Sequence, residues 1–342
     1  MSRIVLESGP LGFPWATVDP FLFCAYHNDA YPKGNGQMGP DPALLRGRNL
    51  GMDFEVKDGF RMYHGRSVPG FPSHPHRGFE TVTVVRRGYC DHSDSLGAKA
   101  RFGAGDAQWI TTGSGIVHAE MFPLLEDDRD NPLELFQIWL NLPKVSKMVP
   151  AHFKMLWHEE IPVVPVTNAD GKAAKVTVVA GTFGEARPPT PPPNSWAAQA
   201  DADVAIWAID FEEGASVTLP PASQQSHRAL YFYDGVTLDV GGETTPANRV
   251  LLVDPKAEVP LRAVGGPARI LVLQGKPIGE PVAQHGPFVM NERRELQEAF
   301  QDYQRTGFGG WPWPSEAPVH PKTSGRFAVH PDGREQDMGP RV

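Results

Sequence analysis

Apolar residues in this chain come in short runs, and nearly every run is closed by a glycine or a proline. Thr81-Val82-Thr83-Val84-Val85 stops shortly before Gly88, Ala107-Gln108-Trp109-Ile110 follows Gly105-Asp106, and Leu135-Phe136-Gln137-Ile138-Trp139-Leu140 runs up to Pro143. Further runs of the same kind lie at residues 176–180, 204–209, 229–233, 249–253 and 268–273. Short runs rich in β-branched and aromatic residues, set off by turn formers, read as strands. Many of them at near-regular spacing leave a sandwich or a barrel as the economical solution. The 35 glycines and 35 prolines carry no Gly-X-Y period, so they supply turns and not a fibre.

A chain of 342 residues is too long for one small module, and about two domains are expected. The strands fall into groups before and after about residue 145. Each group has a strand ending in a tight glycine turn, at Gly88 and at Gly235, which hints at a duplicated barrel. We therefore expect a mainly all-β chain with one barrel over 1–145 and a second over 146–310. One helix is predicted, over 292–304. Asn291 would cap it, Leu296, Ala299, Phe300 and Tyr303 would form its apolar stripe, and Gly307 would stop it. Residues 311–342 read as an extended tail, docked or partly mobile.

Composition excludes several classes of function. Lys plus Arg number 32 against 40 for Asp plus Glu, and no basic run is present, which argues against direct contact with nucleic acid or anionic lipid. Cys24 and Cys90 form no CxxC pair, so neither a thiolate zinc site nor a disulfide scaffold is expected. The N-terminal apolar run is too short for a signal peptide, and nothing approaches the roughly 20 apolar residues of a membrane span. A soluble cytoplasmic protein is the expectation.

The informative stretch is Phe71-Pro72-Ser73-His74-Pro75-His76-Arg77-Gly78-Phe79-Glu80. Side chains two apart on a strand share a face, so His74 and His76 would point the same way, with Glu80 in the same parity. A second pair, His118 and Glu120, follows Gly113-Ser114-Gly115, whose glycines permit a tight turn before the strand. A His-x-His and a His-x-Glu on adjacent strands would close on one divalent first-row metal. Fe(II) with open positions suits oxygen chemistry, and Zn or Mn also fit such ligands. Spacing alone leaves Glu80 and Glu120 both open as the carboxylate ligand.

These residues carry a resemblance. The stretch Phe71-Pro72-x-His74-Pro75-His76-Arg77-Gly78-Phe79-Glu80-Thr81-Val82 resembles the signature of the pirin family, within the cupin superfamily. So do residues 105–121, with Gly113-x-Gly115-Ile116-x-His118-Ala119-Glu120-Met121, residues 135–143, and His285-Gly286-Pro287-Phe288-Val289-Met290-Asn291. The resemblance implies a bicupin, two stacked antiparallel β-barrels of jelly-roll type with a short C-terminal helix. It implies one iron in the N-terminal barrel, held by His74, His76, His118 and Glu120, with Glu80 in a supporting role. If Gly88 and Gly235 align, His74 falls on Pro221 and His76 on Ser223. The second barrel is then expected to be metal-free, with His227 a polar core or surface residue. His92, in Asp91-His92-Ser93-Asp94-Ser95, is expected in a surface turn, with shaping of the site mouth as the alternative.

The function implied by the resemblance is a dioxygenase that opens flavonols such as quercetin with O2, Glu120 accepting the substrate proton. The other implied function is an iron-dependent regulator acting through a protein partner.

Overall fold

A computed structural model of the chain describes residues 3–340. Each apolar run named above lies in or overlaps a strand, for example Phe79–Arg87, Ala107–Thr111, Asn131–Asn141, His227–Asp234 and Ala268–Gly275. The chain is mostly β, as its punctuation predicts.

Two compact units are present. The first gathers residues up to Ala25, Ile138–Asn141 and Leu156–Gly279. Its seven-stranded sheet runs, in spatial order, Val5–Pro10, Arg249–Val253, His227–Asp234, Ala268–Gly275, Ala205–Phe211, Ala173–Ala180 and Val163–Thr167. A four-stranded sheet of Ser216–Leu219, Val259–Val264, Thr237–Val240 and Glu243–Pro246 faces it. Alternation puts Trp207, Ile209, Leu230, Phe232, Ile270 and Val272 of the first sheet in one core with Val217, Leu219, Leu238, Val240 and Leu261 of the second.

The second unit gathers Tyr26–Gln137, Leu142–Met155 and the residues from Glu280 onward. Its six-stranded sheet runs Glu335–Asp337, Phe327–Val329, Lys99–Gly103, Tyr89–Asp94, Ile116–Met121 and Gly70–His76. The companion five-stranded sheet is built around Ala107–Thr111, Phe79–Arg87 and Asn131–Asn141.

The compact units thus differ from the linear segments 1–145 and 146–310. The reason is strand addition at both ends of the chain. Val5–Pro10 pairs with Arg249–Val253, deep in the later sequence, and Phe327–Val329 pairs with Lys99–Gly103 in the earlier one. The region 311–340 is accordingly a docked part of the second unit. Trp313 donates its indole N–H to the Asp94 carbonyl at 2.9 Å, and Arg326 meets the buried Asp106 carboxylate at 2.8 Å.

Among the described residues there is one α-helix, α1, which spans Arg293–Thr306 and stops at Gly307, whose φ of 54° is left-handed. Its start differs from the expected cap. The Glu295 carboxylate accepts the backbone N–H groups of Asn291 and Glu292 at 3.0 and 2.9 Å, and Glu292 is the N-cap. Asn291 instead turns its amide toward Glu280 and the Pro281 carbonyl. Leu296 and Ala299 are buried, and Phe300 and Tyr303 pack with them against Val117, Phe288, Met290 and Phe308. Val117 lies beside His118, so α1 braces the strand that carries the second half of the site.

Candidate metal centre

His74 and His76 end the Gly70–His76 strand, and His118 lies on the neighbouring Ile116–Met121 strand directly opposite His74. One ring nitrogen from each of the three lies within 4.8 Å of the others. The closest approach is between Nε2 of His118 and Nε2 of His74, at 3.1 Å. Glycine is required just before the strand that carries His118. Gly115 precedes the strand with a φ of 136°, and a Cβ there would sit 2.5 Å from the Phe308 ring.

Two of the three rings, His74 and His76, are held as ligands need to be. His74 has its Nδ1 2.9 Å from the Pro72 carbonyl, and His76 has its Nδ1 3.3 Å from the Pro287 carbonyl. A carbonyl only accepts, so each Nδ1 carries the proton and each Nε2 keeps a lone pair. Burial holds His74 down to about 4 and drives His76 and His118 well below the usual imidazole range, with neighbouring imidazoles adding to the effect. With Nδ1 protonated, neutral imidazoles turn unprotonated Nε2 lone pairs toward one another. The donor set fits a divalent transition metal by its own chemistry.

Glu120, the fourth residue read from the sequence, stands apart from this trio. It is buried on the same strand, and its Oε1 accepts from the Thr83 hydroxyl at 2.8 Å while Oε2 accepts from the Gln137 amide at 3.1 Å. Burial raises its pKa, and those two bonds and the nearby His92 oppose the rise. Glu80 is buried too and accepts from the Thr111 hydroxyl at 2.6 Å. Counting parity from His74 through Glu80 does not work here. The chain turns at Gly78, with φ of 87°, and passes from the six-stranded sheet to the five-stranded one. A Cβ on Gly78 would lie 1.9 Å from the Val289 carbonyl oxygen, so the turn requires glycine.

His92 corrects the surface-turn reading. It is fully buried on the Tyr89–Asp94 strand, opposite Glu120. Its Nε2 is 2.9 Å from Oδ2 of the equally buried Asp94, and its ring stacks on Phe153 with centroids 5.2 Å apart. The same-face spacing of His92 and Asp94, on a strand next to that of His118, was the available signal. His227, by contrast, is exposed, with its Nδ1 near the Asp19 carbonyl. Cys24 and Cys90 are free and buried.

Phe71 stands beside His74, with ring centroids 6.3 Å apart. His64 and Phe54 flank Phe71 at 5.7 and 6.3 Å, so an aromatic cluster adjoins His74.

The pirin family model matches residues 13–140, and the model of the pirin C-terminal cupin domain matches residues 206–309. The chain belongs to the pirin family. A pirin-like protein of Solanum lycopersicum is 34% identical over 285 residues, covering 78% of this chain and 88% of the relative. A Pseudomonas aeruginosa protein named "putative quercetin 2,3-dioxygenase" is 37% identical over 241 residues, covering 69% of this chain and 79% of the relative. Among solved structures, a quercetin 2,3-dioxygenase from Acinetobacter baumannii superposes with a TM-score of 0.68 at 24% identity, over 90% of this chain and 98% of that one. That likeness shows the shared fold, the two-domain cupin architecture of pirins. The pirin match ends at residue 309, so the docked segment beyond it is an addition to the matched region.

Proposed function

We propose that the chain is a metal-dependent dioxygenase acting on flavonols of the quercetin class. One transition-metal ion per chain would be held by His74, His76 and His118, with Glu120 completing the set and Fe(II) as the native metal. The observation that carries this reading is the convergence of three imidazoles, half-buried His74 and buried His76 and His118, with one ring nitrogen of each within 4.8 Å of the others. The substrate class is supported by the name of the Pseudomonas relative.

The metal, when bound, supplies Lewis acidity toward the adjacent hydroxyl and carbonyl oxygens of a flavonol and the redox chemistry that O2 requires. The chain supplies the rest. Phe71, beside His74, offers a flat apolar face against which a flavonol ring system can pack. Glu120 is the proton acceptor for the flavonol 3-hydroxyl. Its carboxylate is kept in place by Thr83 and Gln137 and keeps lone pairs to spare. The setting is proposed to be cytoplasmic. Among the described residues no helix is long and apolar enough to cross a membrane.

The test is quercetin bleaching with matched O2 uptake, comparing wild type, Glu120→Gln and metal-stripped protein. Wild type should turn over, the metal-stripped protein should not, and Glu120→Gln should fall by about 100-fold, the scale of a lost general base. Flavones lacking the 3-hydroxyl should be inert. Equal rates in all three proteins would mean autoxidation, and a regulator acting through a protein partner would then take the place of the enzyme.

A further inference from the structure

Two buried nitrogens beside the proposed metal centre have no hydrogen-bond partner: Nδ1 of His118 and Nδ1 of His92. Buried polar atoms in native proteins are nearly always paired, so each calls for an explanation. Their chemistry is complementary. A His118 that offers its Nε2 lone pair toward His74 and a metal must carry its proton on Nδ1, which makes that atom a donor lacking an acceptor. Asp94 fixes the opposite state in His92. Its Oδ1 accepts the backbone N–H groups of Leu96 and Ala98 at 2.9 and 3.0 Å, and its Oδ2 faces His92 Nε2 at 2.9 Å. A carboxylate only accepts, so His92 Nε2 carries the proton, and in the neutral ring Nδ1 is an acceptor lacking a donor.

The two rings are neighbours, with centroids 5.6 Å apart. Two imidazoles joined by an in-line N–H···N bond sit only roughly half an ångström closer. The backbone register also places Asp94 directly opposite His118. We propose that Asp94 and His92 are positioning residues for the metal centre, and that in the metal-loaded protein His118 Nδ1–H donates to His92 Nδ1. The chain carboxylate–imidazole–imidazole would then orient His118 and raise its basicity toward the metal. Outer partners of this kind commonly decide ligand orientation and metal affinity. This inference rests on reading the three histidines as a metal centre.

The site can be loaded with Co(II), whose ligand-field spectrum reports coordination directly, in wild type, Asp94→Asn and His92→Phe. In Asp94→Asn the carboxamide oxygen can keep the two backbone bonds while its NH2 faces His92 Nε2. The proton of His92 then moves to Nδ1 and abolishes the acceptor with little change in shape. Both variants should bind Co(II) roughly 10- to 100-fold more weakly and show displaced ligand-field bands. Thermal unfolding of the metal-free proteins, run alongside, separates a folding defect from a change at the metal. Wild-type Co(II) affinity and an unchanged spectrum in Asp94→Asn would overturn the inference, whatever the unfolding temperatures. Failure of wild type itself to bind Co(II) would overturn the metal centre, and this inference with it.

Discussion

Of the three converging histidines, His118 has its Nε2 against His74 and its backbone braced by α1 through Val117. Replacing it with alanine should abolish stoichiometric metal in protein purified without added metal. Elemental analysis should find one ion per chain in wild type and well under a tenth of that in His118→Ala. Unfolding of the metal-free proteins should differ little by comparison, since barrel packing and not the ion supplies most of the stability in a chain this long. Metal that persists unchanged in His118→Ala would mean that these imidazoles are not its ligands. The His-x-His pair and His118 were legible because same-face spacing on a strand is a property of sequence. His92 was not. Asp91-His92-Ser93-Asp94-Ser95 is as polar as a surface loop, and only tertiary partners reveal why it can be buried. Asp91 is neutralised by Arg101, and Asp94 is occupied by two backbone N–H groups and His92.

The strands marked by apolar runs followed from the spacing of those runs and turn residues, while their pairing, and the hairpin of Phe327–Val329 and Glu335–Asp337, did not. The run from His74 to Val84 looks continuous in sequence but is two strands in two sheets, and the break is a backbone event at Gly78. The helix was placed to within two residues at either end, yet its cap is Glu295 reaching back and not Asn291 reaching forward. Glu295→Ala should therefore cost about 1 kcal/mol, the usual worth of a cap, read as a shift of the urea midpoint. A larger loss is expected in the strand pair Tyr89–Asp94 and Lys99–Gly103. Arg101 forks onto Asp91 with bonds of 2.6 and 2.7 Å, and both side chains are wholly buried. Arg101 also donates to the carbonyls of His320, Pro321 and Ser324, fastening the C-terminal segment. Arg101→Met would strand the Asp91 charge in the interior at a cost of about 3–5 kcal/mol. Adding Asp91→Leu should recover much of that loss. A double variant no more stable than Arg101→Met would show that the contacts to the tail, and not the charge pair, carry the stability.

At the scale of the whole molecule, several imidazoles are kept neutral by burial, and this ties stability to pH. His27 is pushed down to about 3, chiefly by burial with Arg61 adding to it, and His74 to about 4, from an ordinary value of 6.5. In the unfolded chain these histidines take up protons as pH falls through about 6.5, whereas in the folded chain they do not. The unfolded state then binds more protons, so stability rises with pH across this window and falls as the solution is acidified. Each such group contributes about 1.4 kcal/mol per pH unit between its unfolded and folded values. For metal-free protein the urea midpoint should drop steadily from pH 6.5 to pH 4.5 and level off above pH 7.5. A flat profile would show that these rings protonate in the folded state.

The hairpin of Phe327–Val329 and Glu335–Asp337 lies beyond the region matched by the family and adds two strands to the sheet that bears the histidines. Without it, Lys99–Gly103 would end that sheet with a row of open backbone donors and acceptors, a template for another molecule of the same kind. With it, the outermost strand carries Glu335 and Asp337, which would face their own negative images on any approaching copy. The tail therefore works as a guard against edge-to-edge aggregation. A chain shortened to Gly310 should lose that protection and self-associate with rising concentration in light scattering.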